Sequence, residues 1–489
     1  CSPMSCVGAI SQLVARGHHE KYLVDSPNIT FWRFRHMRHT NFALESCIQQ
    51  WSGGSSGLGD KTSLRVNRQG DLVYWMYVNI QLPGLANVVN QHNSCYYGHE
   101  LVANEEEVCR WGAAADVVAA NDGCNGTTQI PRYTNAVGQY AIRQSYVTVG
   151  GQTLDTVYAD YLYMWEELAG KPGKKLGEMV GKAKTKTLAE HWSKFDRTLY
   201  VPLPFFFTMT SGTVLPLVSL QFHDVKVYCE FNSLQDCIVN YQACFDGAPT
   251  RTVIRPPLQN GRLAPIQKND ALSDIQPNDI KTSLEICYVY LDVDERAKFA
   301  EGAFEQLMTE VQCLETTATN QHQRIRLDFN HSIIELIWAV RKESSGNSND
   351  WFNYSGVTEP VTGANRDPIT VCTLKLNNQK RFEAQEGRYF RLVQPYQHHT
   401  NIPEAFVYCY SFALHPEDVQ PSGQCNFSRI DNATFECQLD PNLFRNNANL
   451  GGGPDGEDYS GQTVDIIIFA RNWNVLRFKH GLGGKAFAN

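Results

Sequence analysis

From Phe406 to Leu414 the chain reads Phe-Val-Tyr-Cys-Tyr-Ser-Phe-Ala-Leu, Pro421-Ser422-Gly423 interrupts it, and Phe435, Cys437 and Leu439 then alternate with Glu436, Gln438 and Asp440. A repeat of two sets the apolar side chains on one side of the backbone and the polar ones on the other, which a helix cannot do. Aromatic and β-branched residues suit a pleated, half-buried surface, and the Pro-Ser-Gly step breaks it, so the segment reads as strand, turn, strand. Runs of the same kind recur at Leu72–Leu82, Leu199–Phe207, Leu217–Tyr228, Leu284–Leu291, Ile333–Val340 and Val464–Phe478. Helical spacing is confined to residues 160 to 168 and 296 to 313, the latter through Phe299, Phe304, Leu307, Met308 and Val311. Turn formers and charges predict exposed loops at 95 to 136, 170 to 187 and 341 to 367.

At 489 residues the chain is too long for one typical domain. Prolines and polar residues weaken the pattern from 236 to 282, which predicts a linker between an N-terminal arm with a first domain, 1–235, and a second domain, 283–489. Each half offers many short strands, long loops and one helical excursion. The expected class is all-β: two consecutive eight-stranded antiparallel jelly rolls, one fold used twice.

Composition narrows the function. With 42% hydrophobic and 19% charged residues the chain is an ordered globular protein, and its net charge of -8 argues against a phosphate-neutralising nucleic-acid binder. Fifteen cysteines, an odd number without a CxxC pair, predict free thiols in a reducing compartment, and the gaps between Cys229, Cys237 and Cys244 do not fit a zinc knuckle. No window reaches the roughly 18–20 apolar residues of a membrane span, so no transmembrane segment is expected.

Tyr410–Thr434, YSFALHPEDVQPSGQCNFSRIDNAT, closely resembles a signature of the major capsid proteins of nucleocytoplasmic large DNA viruses. The likeness continues in order through Gly8–Gly17, Ser26–Trp32, Arg38–Ser46, Leu199–Phe207, Leu215–Phe231, Asp292–Arg296, Phe329–Trp338, Leu392–Pro403, Asn472–Arg477 and Gly481–Ala486. Residues 95 to 136 and 236 to 282 depart from it as elaborations. The resemblance implies a double jelly roll and homotrimeric, pseudo-hexagonal capsomers that tile an icosahedral shell. It further implies neighbouring capsomers, minor capsid and penton proteins as partners, a place in the virion capsid, and synthesis in the host cytoplasm.

Candidate chemistry is sparse. Gly53–Gly57 fits GxSxG but lacks a strand before and a helix after it; Gly170–Lys175 and Gly481–Lys485 lack the context of a phosphate loop. Asp292, Asp294 and Glu295 sit where acidic side chains cap a helix. The pairs His18-His19, His36 with His39, and His398-His399 lack an HExxH, and His398-His399 is expected to satisfy backbone groups of an irregular loop. Of six sequons, Asn330, Asn426 and Asn432 are read as turn residues, and Asn125 and Asn353, in expected loops, are the candidate glycosylation sites. No catalytic, cofactor or metal residue is assigned. Two other classes compete: a carbohydrate-binding module or lectin using Trp351-Phe352-Asn353-Tyr354, and a cupin-type enzyme needing clustered His and carboxylate ligands.

Overall fold

The computed structural model describes residues 7–15, 26, 31, 38–52, 57–85, 128–234, 236–245, 252–255, 258–259, 262–263, 280–343, 345, 349–355, 367–444 and 463–487. The chain divides into an N-terminal unit, Cys1–Phe42, and a main unit, Ala43–Asn489. In the N-terminal unit, Val7–Val14 is a helix with Ile10, Leu13 and Val14 exposed.

The first strands are β1 (Phe42–Gln50), β2 (Lys61–Arg65), β3 (Leu72–Leu82), β4 (Thr128–Tyr133), β5 (Ile142–Val149), β6 (Gln152–Tyr158), β7 (Arg197–Pro202), β8 (Leu215–Pro216), β9 (Val225–Phe231) and β10 (Ile238–Phe245). Short β11 (Thr252–Arg255), β12 (Leu258–Gln259) and β13 (Arg262–Leu263) precede β14 (Lys281–Leu291). After a helix, Val293–Glu301, come β15 (Phe304–Ala318), β16 (His322–Arg326), β17 (Ser332–Lys342), β18 (Ile369–Leu376), β19 (Gln379–Lys380) and β20 (Gln385–Glu386). The last are β21 (Tyr408–Ser411), β22 (Cys425–Asn426), β23 (Ala433–Leu439), β24 (Val464–Lys479) and β25 (Leu482–Lys485).

These strands build two lobes wound alike. In the first, β1, β14, β3 and β7 are neighbours in one sheet and β2, β9, β5 and β6 in another; in the second, the orders are β15, β24, β17, β21 and β16, β23, β18, β19. Counted along each lobe, both follow one-eight-three-six and two-seven-four-five. The β3–β14, β5–β9, β15–β24 and β18–β23 ladders are antiparallel. The repeat expected from sequence is therefore a repeat of winding: two eight-stranded jelly rolls.

Several expectations are corrected. The strand at 281–291, assigned by sequence largely to the second domain, pairs with β3 from Lys281 opposite Gln81 to Val289 opposite Leu72, and so closes the first lobe. The 236–282 linker and the 95–136 loop each contain a strand, β10 and β4, which pair with each other from Ile238 opposite Tyr133. Residues 86–127 and 264–279 lie outside the described residues. The stripe from Phe304 to Val311 is not helical: β15 pairs along its whole length with β24, from Phe304 opposite Phe478 to Ala318 opposite Val464. Fifteen residues of ladder outweigh a coincidental three-four spacing. The run Leu199–Phe207 leaves its sheet at Pro202, since prolines cannot donate to a ladder, and Leu217–Tyr228 enters the other sheet of the lobe only from Val225, with Leu217 and Leu220 buried in turns. The 170–187 loop contains a short 3-10 turn, Gly177–Val180, and the start of a helix, Lys186–Ser193.

The strand-turn-strand segment holds, but its strands lie in different sheets of the second lobe: β21 pairs with β17, and β23 with β16 and β18. Trp338 of β17 fills the space between the sheets, its ring centroid 5.1 Å from that of Phe435 and 5.3 Å from that of Phe390. One connected set of buried apolar residues runs through both lobes.

Candidate functional site

The most heavily built feature is the seam between the lobes. The helix Ala159–Ala169 and β6 belong to the first lobe and cover the outer face of the β15-β24-β17-β21 sheet. Phe469 of β24 packs its ring 5.5 Å from Tyr161 and 5.9 Å from Tyr158. Asp160 accepts from Arg341 Nη1 at 3.0 Å and from the Tyr354 hydroxyl at 2.6 Å. Burial pulls the Arg341 guanidinium down, but Asp160, Asp465 and Glu315 outweigh it and hold the group above its ordinary value. Nearby, Asp155 of β6 accepts from the backbone N–H of Phe206 at 3.1 Å and of Thr156 at 2.9 Å. Its complete burial, with Glu310 close by, pushes its carboxyl up to about 7.

Beside this seam lies a buried ionic cluster. Glu335 of β17 is fully enclosed, with Arg471 Nη1 3.1 Å from one carboxylate oxygen and His399 Nε2 2.9 Å from the other. His399 Nδ1 lies 3.0 Å from Glu417, which also accepts from the Thr400 N–H at 2.8 Å. Arg471 further donates to the Pro416 carbonyl at 2.8 Å, and its guanidinium lies over Trp165 of the first lobe, 4.4 Å from the ring centroid. Both imidazole nitrogens lie within ion-pair distance of a carboxylate, an environment that favours the cation. Burial opposes that charge, yet Glu335 and the Cys409 thiol drive His399 well above the usual imidazole range. Burial likewise raises both carboxyls, and the cations around Glu335, with His399 and Thr400 around Glu417, pull them back below the usual range. Two anions and two cations thus neutralise each other in a cluster that is enclosed at Glu335 and His399 and partly exposed at Glu417, and that ties loop 399–417 to two strands and to the neighbouring lobe.

The residues singled out from sequence fall as follows. His398 does bond a backbone group, Nδ1 lying 3.0 Å from the Leu414 carbonyl, but His399 enters the ionic cluster instead. His39 is exposed; His18, His19 and His36 lie outside the described residues, as do Gly53–Ser56 and Asn125. Asp292 caps the helix Val293–Glu301 by accepting from the Val293 N–H, with Asp294 and Glu295 in its first turn. His480 and Gly481, both at positive φ, form the two-residue turn between β24 and β25, so that glycine serves a hairpin. Asn353 donates its amide to Asp350 at 3.0 Å and accepts from Ser355, so a glycan there would have to displace that turn. The aromatics around it are not a sugar platform: Trp351 stacks on Tyr140 at 4.8 Å and Phe352 on Tyr163 at 4.4 Å, with Tyr354 buried. Among the described residues no group of three or more His, Cys, Asp or Glu side chains could hold a metal ion, and no helix is long and apolar enough to cross a membrane.

Sequence reasoning missed Glu335, Arg471, Asp160 and Arg341. Their signal was charge inside apolar strand runs, Glu335 between Ile334 and Leu336 and Arg471 after Ala470. Buried charges in strands require partners.

Two sandwiches in one chain, joined by a buried seam and carrying loops at their ends, define a protein whose work is construction. The family described as "Major capsid protein N-terminus" matches residues 30–292, and "Large eukaryotic DNA virus major capsid protein" matches 295–484. The chain is 30% identical to the major capsid protein of Paramecium bursaria Chlorella virus 1, over 99% of this chain and all of the relative. It is 28% identical to that of Phaeocystis pouchetii virus, over 99% of this chain and all of the relative. Among solved structures, a chain of the PBCV-1 virus capsid is similar at a TM-score of 0.65 and 26% identity, covering 94% of this chain and 100% of that one. The chain therefore belongs to the family of major capsid proteins of large eukaryotic DNA viruses.

Proposed function

We propose that three copies of this chain form a capsomer of nearly hexagonal outline, and that such capsomers tile the icosahedral shell of a large double-stranded DNA virus. The observation that carries the reading is the identical winding of the two lobes. Three chains with two like lobes each place six like units around one axis, so a threefold object packs as a sixfold one. On this reading the first jelly roll runs through Leu291 and the second begins at the helix starting with Val293. The work is structural and involves no catalysis. The partners are neighbouring capsomers with minor capsid and penton proteins, and synthesis takes place in the host cytoplasm before the chain enters the virion. Mass photometry at nanomolar concentration tests it: the expected mass is three times 55.2 kDa, about 166 kDa. A stable monomer, or a dimer without trimer, would overturn the reading.

A further inference from the structure

β15 and β25 flank the end of β24, with Met308 opposite Asn474 and Glu310 opposite Asn472 on one side, and Lys485 opposite Leu476 on the other. Residues opposite each other, or two apart along a strand, share a face, so Glu310, Asn474 and Lys485 converge on one face of these three strands. A single oxygen of Glu310 meets both nitrogens: Lys485 Nζ lies 2.7 Å from Oε1, and Asn474 Nδ2 donates to the same atom at 3.0 Å. Asn474 is fixed at its remaining polar positions, Oδ1 accepting from the Val475 N–H at 2.7 Å and Nδ2 donating also to the Phe487 carbonyl at 2.9 Å. The group is enclosed: Asn474 is 3% exposed, and the side chains of Glu310 and Lys485 are 10% and 17% exposed. Asp155, its carboxyl pushed up to about 7 by burial and by Glu310, adds a second acid beside it.

We propose that Lys485 and Asn474 become joined by an isopeptide bond within the folded chain, with Glu310 as the proton carrier. An ion pair alone would need only the lysine and the glutamate. The carboxamide bonded to the same oxygen supplies an electrophile, and holding amine and amide against one carboxyl replaces a solution encounter by a fixed geometry. A proton first passes from Nζ to Glu310 Oε1, leaving a neutral amine beside a neutral acid, a pair favoured over the ions where water is scarce. The Nζ lone pair attacks Asn474 Cγ, and negative charge gathers on Oδ1, which the Val475 N–H already faces. Glu310 then gives its proton to Nδ2, the Cγ–Nδ2 bond breaks as the carbonyl reforms, and Glu310 takes the surplus proton from Nζ. Ammonia leaves; no oxidant or second reactant is consumed. The reaction happens once per chain and braces the seam, because β25 is also held by the first lobe: the Lys485 N–H donates to Gln152 Oε1 at 3.0 Å, and the Gly483 carbonyl lies 2.9 Å from His223 Nδ1.

Tryptic mapping of the purified full chain by mass spectrometry tests it. The bond blocks cleavage after Lys485 and joins residues 472–477 to the peptide that begins at His480. The joined species is expected at a mass lower by about 17 Da, one ammonia, than the sum of the two peptides. Glu310→Gln removes the proton carrier and is expected to yield the two peptides separately. Lys485→Arg covers the case in which that variant does not fold: its guanidinium keeps a charge opposite Glu310 but stays protonated and cannot attack, so circular dichroism should be unchanged and the link absent. If the folded wild-type chain yields only separate peptides, cleaved after Lys485 and with no loss of mass, the three side chains form an ion pair with a bonded amide and the proposal is wrong. A link that persists in Glu310→Gln would overturn the role given to Glu310.

Discussion

Replacing Glu335 by Gln keeps the shape of the side chain and removes the charge on which the buried cluster turns. The carboxylate meets His399 at 2.9 Å and Arg471 at 3.1 Å. At an effective dielectric of about 20, each contact represents roughly 5–6 kcal/mol of gross attraction, most of which offsets the desolvation of the ions. What a mutation reads is the cost of stranding the partners, about 3–5 kcal/mol for a buried pair. Arg471 keeps the Pro416 carbonyl and the Trp165 ring, and glutamine still accepts one hydrogen bond, so the expected loss is at the lower end, about 3 kcal/mol. For a lobe of about 200 residues that corresponds to a fall of roughly 6–12 °C in Tm. Calorimetry at fixed protein concentration measures it, since association also shifts Tm. The pH dependence supplies a second check. His399 is held above its unfolded value of 6.5, so its contribution is complete below 6.5 and disappears as pH rises through the higher folded value. Glu335 and Glu417 are held below 4.5, so theirs is complete above 4.5 and disappears as pH falls through the lower folded values. The gap between wild type and E335Q should therefore be widest near pH 5.5 and narrow toward pH 9. A gap under about 2 °C at pH 5.5, or one that widens with alkalinity, would refute the assignment of a charged cluster.

Asp160→Asn should destabilise by about 2 kcal/mol, less than stranding a buried charge, because Arg341 loses its nearest carboxylate but keeps Glu315 at 3.6 Å and Asp465 at 3.9 Å; denaturant unfolding measures this, and a change below about 0.5 kcal/mol would mean that the seam does not depend on the pair. Asp155 holds its proton to about 7 in the folded chain and to 3.8 when unfolded, so it costs stability increasingly as pH rises between those values. Asp155→Asn should accordingly raise Tm more at pH 8 than at pH 4, and an equal shift at both would count against the raised value. Nine cysteines of the described residues are free; Cys229, Cys237, Cys287, Cys372, Cys409 and Cys437 are buried, with burial as the leading cause of a raised thiol pKa. Native labelling should reach the partly exposed Cys47 and Cys425 long before these six, and rapid modification of Cys372 would show that the second lobe's core opens readily.

Strands with one dry and one wet face were legible, because alternation survives only where the two faces differ. β3 was read to the residue, Leu72 to Leu82, and β23 follows the period that marked it. β15 was misread for the complementary reason. Cys313 lies opposite Phe469, on the face turned to Tyr158, while Met308 on the other parity is buried as well, so packing on both sides erases the alternation. The placement of β14 was not legible at all. Its composition declares a strand, but its partner Tyr77 lies more than 200 residues away from Glu285, and local pattern carries no information about which lobe a strand closes. The acid caps at Asp292–Glu295 were legible because capping is local.

The seam explains why one chain carries two lobes that are alike in winding and unlike in surface. Arg341, Arg471 and Phe469 project from the second lobe onto a face that an isolated sandwich would leave wet, and their partners Asp160, Trp165 and Tyr158 come from the first. Cations buried to this depth are tolerated only when paired, so the two lobes meet with their charges already matched. A duplicated sandwich with identical faces would associate with itself in every register. Making one face of the second lobe dependent on the first fixes how the two lobes of one chain follow one another.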